Sequence, residues 1–442
     1  MSQFSRRKFI LTAGATAAAS ILTNACSSKV EGEANPTAST APATNIAAGD
    51  APEVTTAKLG FIALTDSAPL IIAKEKGLFA KYGMKDVAVV KQASWPVTRD
   101  NLETGSTGGG IDGAHILTPM PYFMSMGMTK TKQPVPMYIL ARLNTNGQAI
   151  SVSNAYKDSK VQLKGDGLKG AIAKAKSGGK TDVKVAVTFP GGTHDLWMRY
   201  WLAANGVDPA KDIGVIPVPP PQMVANMKTG SMEAFCVGEP WNGRLVNQQL
   251  GYTALVTGEL WKDHPEKAFS MRQDWVDKNP KAAKALLMAV LEAQQWCDKP
   301  ENHAEMCKII ASPQWFDVKV EDILPRTQGT IDYGDGRKVD KFPQAMKFWA
   351  DNASYPYQSH DMWFLTENMR WGNIPTDFVA AKAMVKKVNR EDLWKEAATA
   401  LKIDVAQIPT STSRGVETFF DGVKFDPEKP EDYLKSLKIK KA

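Results

Sequence analysis

A histidine follows a glycine-rich turn near the middle of the chain. Residues 189–193 read Phe-Pro-Gly-Gly-Thr, and His194 begins a pattern that predicts a helix as far as Ala204. The first backbone N–H groups of a helix have no partner within it, and the helix dipole favours negative charge there. Histidine donates from one ring nitrogen when neutral and from two when protonated. This turn therefore predicts an anion-binding position, although a histidine there could also simply cap the helix.

Patterns for catalysis and metal binding are weaker. Cys236, His115 and His194 could support chemistry, but no Ser/His/Asp or Cys/His set stands out, and no Cys-x-x-Cys or His-x-x-x-His spacing suggests zinc. Cys236 lies in an apolar run and is expected to be a buried small hydrophobe. Cys297 and Cys307 could pair in an oxidising compartment, although both fall in predicted helices. The sequence therefore predicts neither a metal nor a cofactor.

The first 26 residues read as a targeting signal. Arg6 and Arg7 precede an uncharged stretch from Ile10 to Ala25, and Cys26 ends it. This run is about sixteen residues long, whereas a membrane-spanning helix needs roughly twenty. A twin-arginine pair, a short apolar run and a cysteine predict an export signal over residues 1–25 and lipid attachment at Cys26. A plain anchor helix with a chance cysteine is the alternative.

The composition predicts a flexible N-terminal tether followed by a globular body. Residues 26–53 hold few large apolar side chains, so we expect a flexible, lipid-anchored tether there. With 442 residues, 43% of them hydrophobic, the chain can bury more than one core. The net charge is +7, and three of these charges belong to Arg6, Arg7 and Lys8. The remaining charge forms no concentrated basic run, so nucleic acid is not an expected partner.

The folded body is expected to be α/β. A strand at 57–64, a turn at 65–67, a helix from Ala68 and a strand at 87–91 form a unit that favours a parallel sheet. Further strands are predicted at 137–143, 148–152, 183–188, 213–218 and 233–237. Later residues are predicted to be mostly helical, at 280–297, 302–310, 341–351, 360–371, 377–387 and 391–400.

Two crossovers between α/β blocks predict two lobes around a cleft. They are expected near 144–148 and 238–241. The first lobe would then be discontinuous, formed by residues 54–145 and 242–442. The second lobe would be the inserted middle, residues 146–241.

Six segments, spread from the first strand to the C-terminal tail, carry a family pattern: Leu59–Leu70, Lys76–Met84, Gly108–His115, Phe189–Trp197, Val237–Trp241 and Arg414–Gly422. They resemble the nitrate-binding lipoproteins of cyanobacterial ABC transporters, within the nitrate/sulfonate/taurine/bicarbonate receptor family. Gly-Thr-His-Asp at 192–195 and Val-Gly-Glu-Pro-Trp at 237–241 are specific, whereas Lys-Gly-Leu-Phe-Ala at 76–80 is shared widely. The resemblance implies a type II periplasmic-binding fold, to which the helical pattern adds a C-terminal extension.

The same resemblance implies a function without catalysis. A receptor of this family, lipid-anchored at the periplasmic face of the cytoplasmic membrane, would capture nitrate and also nitrite. It would deliver the ion to the permease subunits of an ABC transporter. By the family match, the ligand-binding residues are Trp95, Gln148, His194, Gly238, Glu239 and Lys267.

The residue types suit nitrate, a planar monoanion whose oxygens only accept hydrogen bonds. Lys267 brings a countercharge and three donors, Gln148 an amide NH₂, and Trp95 an indole N–H beside a flat surface. The site is expected to aim no acceptor at the ion. We therefore expect Glu239 to face away from it and either to orient Lys267 or to keep His194 protonated.

Two alternatives stay open, a second receptor of the same family and an enzyme on the same fold. Bicarbonate receptors share the framework, and by the resemblance they carry Gln and an acid where this chain has His194 and Lys267, with calcium beside the ligand. Enzymes that form the thiamine pyrimidine also share the fold. Asp112 and His115, which flank Gly113, could line the cleft, but a structural role is expected.

Overall fold

The computed structural model describes residue 49 and residues 51–441. The predicted export signal, the lipid-attachment site Cys26 and most of the predicted tether lie outside the described residues. Among the residues that are described, no helix is both long and apolar enough to cross a membrane.

Most strands of the described chain belong to two mixed sheets of five strands each. In chain order they are β1 (Thr56–Phe61), β2 (Asp86–Lys91), β3 (Gly113–Leu117), β4 (Met137–Arg142), β5 (Gln148–Ser153), β6 (Lys184–Val187), β7 (Gly214–Pro217), β8 (Ala234–Gly238), β9 (Gly251–Val256) and β10 (Lys267–Arg272). Sheet A has the order β2-β1-β3-β10-β4, and sheet B has the order β7-β6-β8-β5-β9. In each sheet the first three strands run parallel, and an antiparallel strand, β10 or β5, separates the third from the last. The two sheets therefore share one topology, and the predicted α/β class is confirmed.

The chain passes between the sheets at 143–147 and again at 257–266. The first passage lies where the sequence predicted it. The second passage was predicted at 238–241, and this was wrong. The reason is that Gly251–Val256 is a further strand that pairs antiparallel with β5, so sheet B continues beyond residue 241. The exact lobe boundaries stay a prediction.

Helices cover the sheets and form most of the C-terminal half. They are α1 (Ala68–Glu75), α2 (Leu78–Lys81), α3 (Trp95–Thr104), α4 (Met120–Ser125), α5 (Gly167–Ser177), α6 (Thr193–Ala204), α7 (Met223–Lys228), α8 (Trp241–Asn247), α9 (Gln273–Lys278), α10 (Pro280–Cys297), α11 (His303–Ala311), α12 (Leu324–Thr327), α13 (Gln358–Arg370), α14 (Phe378–Val388), α15 (Glu391–Ala400) and α16 (Pro430–Ser436). Two short antiparallel pairs also lie here: β11 (Ile331–Asp332) with β12 (Lys338–Val339), and β13 (Glu417–Thr418) with β14 (Lys424–Phe425). The predicted helical C-terminal region is confirmed.

The helix predicted at 341–351 is wrong. Pro343 has no backbone N–H and disfavours helical backbone at the residue before it. The segment instead runs beside the first crossover, where the backbones of Thr145 and Lys347 exchange hydrogen bonds of 2.9 and 3.2 Å. A contact between residues so far apart in sequence decided this local structure.

The cores lie between the sheets and their helices. Strands β3, β4, β8 and β9 are buried at every residue, as expected for sheets covered on both faces. Cys236 lies on β8 and is buried, as predicted. Cys297 and Cys307 are also buried, and both are free thiols, so the disulfide left open by the sequence is absent from this structure.

Candidate functional site

A buried ammonium group lies where the second crossover enters sheet A. Lys267 is the first residue of β10, and its side chain is 0% exposed. Its Nζ lies 2.9 Å from Asp66 Oδ2, 2.9 Å from Glu266 Oε1 and 3.4 Å from Gln148 Oε1. Burial by itself lowers the pKa of Lys267, but the two carboxylates outweigh it and raise this pKa above its usual value. The lysine therefore stays charged in the interior because its charge is paired.

Asp66 connects the lysine to a histidine of sheet A. It lies in a short 3₁₀ turn, Thr65–Ser67, which begins four residues after the end of β1 at Phe61. His115, in the middle of β3, accepts from the Ile62 backbone N–H at Nδ1, so its Nε2 carries the proton that it donates to Asp66 Oδ1 at 2.6 Å. Burial raises the pKa of Asp66, but Lys267 and His115 outweigh it and hold this pKa below its ordinary range. Burial lowers the pKa of His115. The turn thus presents an ionised carboxylate to the lysine.

Sheet B contributes an amide and a second histidine. Gln148, the first residue of β5, donates from Nε2 to Asp66 Oδ2 at 3.0 Å. Its Oε1 lies 2.8 Å from His194 Nε2, near the start of α6, and His194 Nδ1 lies 2.6 Å from Thr188 Oγ1. Burial, followed by the charge of Lys267, lowers the pKa of His194 well below its usual value. The imidazole is therefore neutral, with Nε2–H donating to Gln148, and the expectation that it is kept protonated was wrong.

Glu266, in the second crossover, accepts hydrogen bonds from two side chains of α6. Its Oε1 accepts from the Thr193 hydroxyl as well as from Lys267, and its Oε2 accepts from Trp197 Nε1 at 2.6 Å. Burial raises its pKa even though Lys267 opposes that shift. Two carboxylates, those of Asp66 and Glu266, therefore lie within hydrogen-bond distance of the ammonium. That no acceptor is aimed at the ion stays a prediction.

Trp95 closes one side of the cluster. It begins α3, where the Ser94 side chain accepts from Val97 N at 3.4 Å and caps the helix. Its ring centroid lies 6.0 Å from Lys267 Nζ and 5.4 Å from the ring of His115. Its Nε1 is fully buried and has no hydrogen-bond partner in the described part of the chain. Buried donors normally find a partner, so this N–H is a donor available to a ligand.

Gly238 makes room for the cluster. It faces Gln148 across β8 and β5. A Cβ built on Gly238 would lie 2.5 Å from Gln148 Oε1 and 3.2 Å from Asp66 Oδ2, the first of which real Cβ atoms essentially never show. Glycine is therefore required at this position, because any side chain would clash with Gln148.

Glu239 does not have the role expected of it. Its Oε1 accepts from Arg326 Nη1 at 2.7 Å and its Oε2 from Gly243 N at 3.0 Å. Burial raises the pKa of this carboxyl although Arg326 opposes the shift. The expectation that Glu239 orients Lys267 or protonates His194 was wrong, because its partner comes from α12 in the C-terminal region, 87 residues away.

The sequence-predicted residues therefore divide into groups. Those that meet in one buried cluster are Trp95, Gln148, His194 and Lys267, with Gly238 against it. Glu239 follows Gly238 in the chain, but its side chain pairs with Arg326 and not with the cluster. Cys26 is outside the described residues. Asp66 and Glu266 were missed, and His115 was expected to be structural. The signals available for the first two were a polar turn that follows a buried strand and an acid next to Lys267.

The cluster can bind a small anion, and it offers little for covalent chemistry. Its donors are an ammonium, an amide, an imidazole N–H and an indole N–H. Burial raises the pKa of the Cys236 thiol well above its usual value, so this cysteine is a poor nucleophile. Among the residues described, no group of three or more His, Cys, Asp or Glu side chains is arranged to hold a metal ion.

Comparison with known proteins identifies the family. Residues 50–311 match the family described as NMT1-like. The chain belongs to the NMT1-like family. The nitrate/nitrite binding protein NrtA of Nostoc sp. is 64% identical over 448 residues and covers 100% of both chains. The bicarbonate-binding protein CmpA of Synechococcus elongatus is 45% identical over 444 residues, covering 99% of this chain and 98% of its own.

A solved structure agrees with the fold. The crystal structure of the periplasmic nitrate-binding protein NrtA from Synechocystis PCC 6803 superposes on this NMT1-like chain with a TM-score of 0.85. The two are 65% identical, over 88% of this chain and 100% of that chain. The predicted periplasmic-binding fold is thereby confirmed, and both relatives compared above are named as binding proteins.

Proposed function

We propose that this chain is an extracytoplasmic solute receptor that captures nitrate, and also nitrite, and delivers it to an ABC transporter. The observation that carries the proposal is the fully buried Lys267 ammonium, surrounded by further donors where two sheets of one topology are joined. The 64% identity to a nitrate/nitrite binding protein supports the same ligand. The proposed action is capture and release, with no chemistry on the ion.

The donors match the chemistry of the ion. Nitrate and nitrite are monoanions that accept hydrogen bonds and donate none. Lys267 Nζ, Gln148 Nε2, His194 Nε2–H and the unpartnered Trp95 Nε1 are donors from four different elements. Hydrogen bonds to charged groups contribute about 1.5–3 kcal/mol each, so a few of them suffice for a tightly bound small ion.

Bicarbonate is the second candidate, and a specific feature favours it. Its O–H needs an acceptor, and the carboxylates of Asp66 and Glu266 lie in the cluster. However, every oxygen of these two carboxylates already accepts from a protein donor. The ammonium of Lys267 also stands where, by the resemblance, bicarbonate receptors carry an acid. We therefore favour nitrate.

Calorimetry distinguishes the two candidates. The purified protein would be titrated with nitrate, nitrite and bicarbonate, each with and without calcium. We expect heat from nitrate and nitrite, unchanged by calcium, and none from bicarbonate. Calcium-dependent binding of bicarbonate would support the second candidate, and binding of none of the three would contradict the proposed function.

The location and the transporter are part of the proposal. The N-terminal pattern that ends at Cys26 supports export followed by lipid attachment, which would hold the receptor at the periplasmic face of the inner membrane, next to the permease subunits. Mass spectrometry of the protein purified from membranes should find an N-terminus at Cys26 carrying acyl chains. An unmodified chain that keeps residues 1–25 would contradict this location.

A further inference from the structure

One side chain in the cluster has the same chemistry as the proposed ligand. A carboxylate is a planar monoanion that accepts hydrogen bonds and donates none, and so are nitrate and nitrite. Asp66 is such a group, fully buried among the donors. Its Oδ2 accepts from Lys267 Nζ at 2.9 Å and from Gln148 Nε2 at 3.0 Å, and its Oδ1 accepts from His115 Nε2 at 2.6 Å.

These contacts use the donors that a bound ion would need. The three N–H groups of the Lys267 ammonium have acceptors at Asp66, Glu266 and the Gln148 carbonyl. An anion that binds the Lys267 ammonium must therefore displace one of these three acceptors. Both N–H groups of the Gln148 amide are likewise in use, one with Asp66 Oδ2 at 3.0 Å and one with the Asn146 carbonyl at 3.3 Å, so the amide must release one of them before it can donate to a ligand.

Of the two carboxylates, Asp66 is the less firmly held. Glu266 is fastened to α6 by both the Thr193 hydroxyl and the Trp197 indole in addition to Lys267. Asp66 lies on a turn of three residues, and among residues 51–441 its one side-chain partner besides Lys267 and Gln148 is His115. Next to it, the Thr65 hydroxyl is buried and has no hydrogen-bond partner among the described residues.

We propose that Asp66 is an internal competitor of the bound anion. Its carboxylate holds Lys267 and Gln148 in place until an anion displaces it, and it thereby sets the affinity and selectivity of the site. This inference rests on the proposed function. Because Asp66 follows β1 of sheet A and Gln148 begins β5 of sheet B, the same contact also joins the two sheets. Only a ligand that binds these donors better than a carboxylate does can replace it.

The charge of Asp66 gives the direction of the effect. Lys267 and His115 hold its pKa below the ordinary range despite burial, so it is ionised at neutral pH. Removing that charge makes the cluster one unit more positive and frees Lys267 and Gln148 for the ligand. Charges a few ångströms apart in a protein interact strongly, so we expect nitrate to bind about tenfold more tightly or better to Asp66→Asn.

The test is calorimetry of nitrate binding to the full-length protein and to Asp66→Asn. Asp112→Asn is the matched control, because Asp112 is also buried, directly before β3 of sheet A, but accepts from Lys58 N and the Ser106 hydroxyl. We expect the dissociation constant to fall about tenfold in the first variant and to stay unchanged in the second. Unchanged or weaker binding by folded Asp66→Asn would overturn the inference, whereas no nitrate binding by the unmodified protein would overturn the proposed function instead.

A second variant, Asp66→Ala, distinguishes competition between the carboxylate and the ion from a purely structural role of Asp66. Asp66→Ala leaves a space the size of a small carboxylate, and formate should fill it. We expect formate to weaken nitrate binding to Asp66→Ala by tenfold or more and to leave the unmodified protein unaffected. Equal insensitivity of both proteins to formate would overturn the inference.

Discussion

Gly238 offers a sharp test of the site because its substitution changes no charge and no donor. In Gly238→Ala the new methyl group would lie 2.5 Å from Gln148 Oε1 and 3.2 Å from Asp66 Oδ2. An ordinary contact needs about 3.4 Å or more. The Gln148 side chain must therefore shift, and β5 and β8, which pair through Gln148 and Gly238, leave the backbone little freedom to absorb the change.

The size of the effect follows from the hydrogen bonds that Gln148 makes. The shift misplaces the amide Nε2 that is proposed to donate to the ion, and it weakens the 2.8 Å hydrogen bond from His194 Nε2 to Gln148 Oε1 that positions both side chains. A neutral hydrogen bond is worth about 1 kcal/mol and a charged one about 1.5–3 kcal/mol. A combined loss of about 2–3 kcal/mol corresponds to nitrate binding that is roughly 30- to 150-fold weaker. Overpacking should also lower the free energy of unfolding by about 1–3 kcal/mol.

Calorimetry with nitrate and urea unfolding would measure the two effects. The matched control is Gly170→Ala on α5, where a built Cβ meets no heavy atom within 4 Å. That control should keep its affinity and gain up to about 1 kcal/mol of stability, because alanine is the better helix former. If Gly238→Ala bound nitrate as tightly as the unmodified protein, Gln148 and Gly238 would not belong to the binding site.

Three further outcomes are expected. Lys267→Glu should bind no nitrate in calorimetry, because the substitution puts a third carboxylate beside those of Asp66 and Glu266. The control Lys174→Glu, at a half-exposed position on α5, should bind nitrate normally. Micromolar affinity in Lys267→Glu would show that the lysine is not part of the site. Glu239→Gln should lower the free energy of unfolding in urea by about 1–3 kcal/mol, because it leaves a buried guanidinium without a countercharge, and unchanged stability would contradict the ion pair. Burial lowers the pKa of both His264 and His360 to about 3. In the folded protein each stays neutral down to about pH 3, whereas in the unfolded chain each takes up a proton near pH 6.5. The free energy of unfolding should therefore have its full value above pH 6.5 and fall toward pH 3 by up to about 1.4 kcal/mol per pH unit per histidine. A free energy of unfolding that stays constant from pH 7 to 4.5 would contradict this.

The sheets illustrate what local sequence can and cannot predict. The first β-turn-α-β unit was predicted because a buried strand, a polar turn and a helix follow one another within a short stretch, and local patterning is enough to specify each. The second crossover was misplaced because Gly251–Val256 becomes a strand of sheet B through pairing with β5, which begins about a hundred residues earlier. Likewise, Lys347 pairs with Thr145 rather than continuing a helix.

The site shows the same division. His194 was predicted from its own surroundings, a glycine-rich turn that opens a helix, and the family resemblance supplied Trp95, Gln148 and Lys267. Nothing in the local sequence indicated that Asp66 would reach Lys267, because 201 residues separate them and the contact exists only when β1 and β10 share a sheet. The partner of Glu239 was misassigned for the same reason.

The sequence by itself determined the α/β class, the family, the position of the helices that the chain forms locally, and which residue types could bind an acceptor-only anion. These depend on periodicity, turn chemistry and hydrogen-bonding capacity, which each segment carries within itself. Only the tertiary structure decided which charges meet: Lys267 with Asp66 and Glu266, and Glu239 with Arg326. A buried charge is tolerated only beside its partner, and the identity of that partner depends on how distant strands and helices pack, which no single segment encodes.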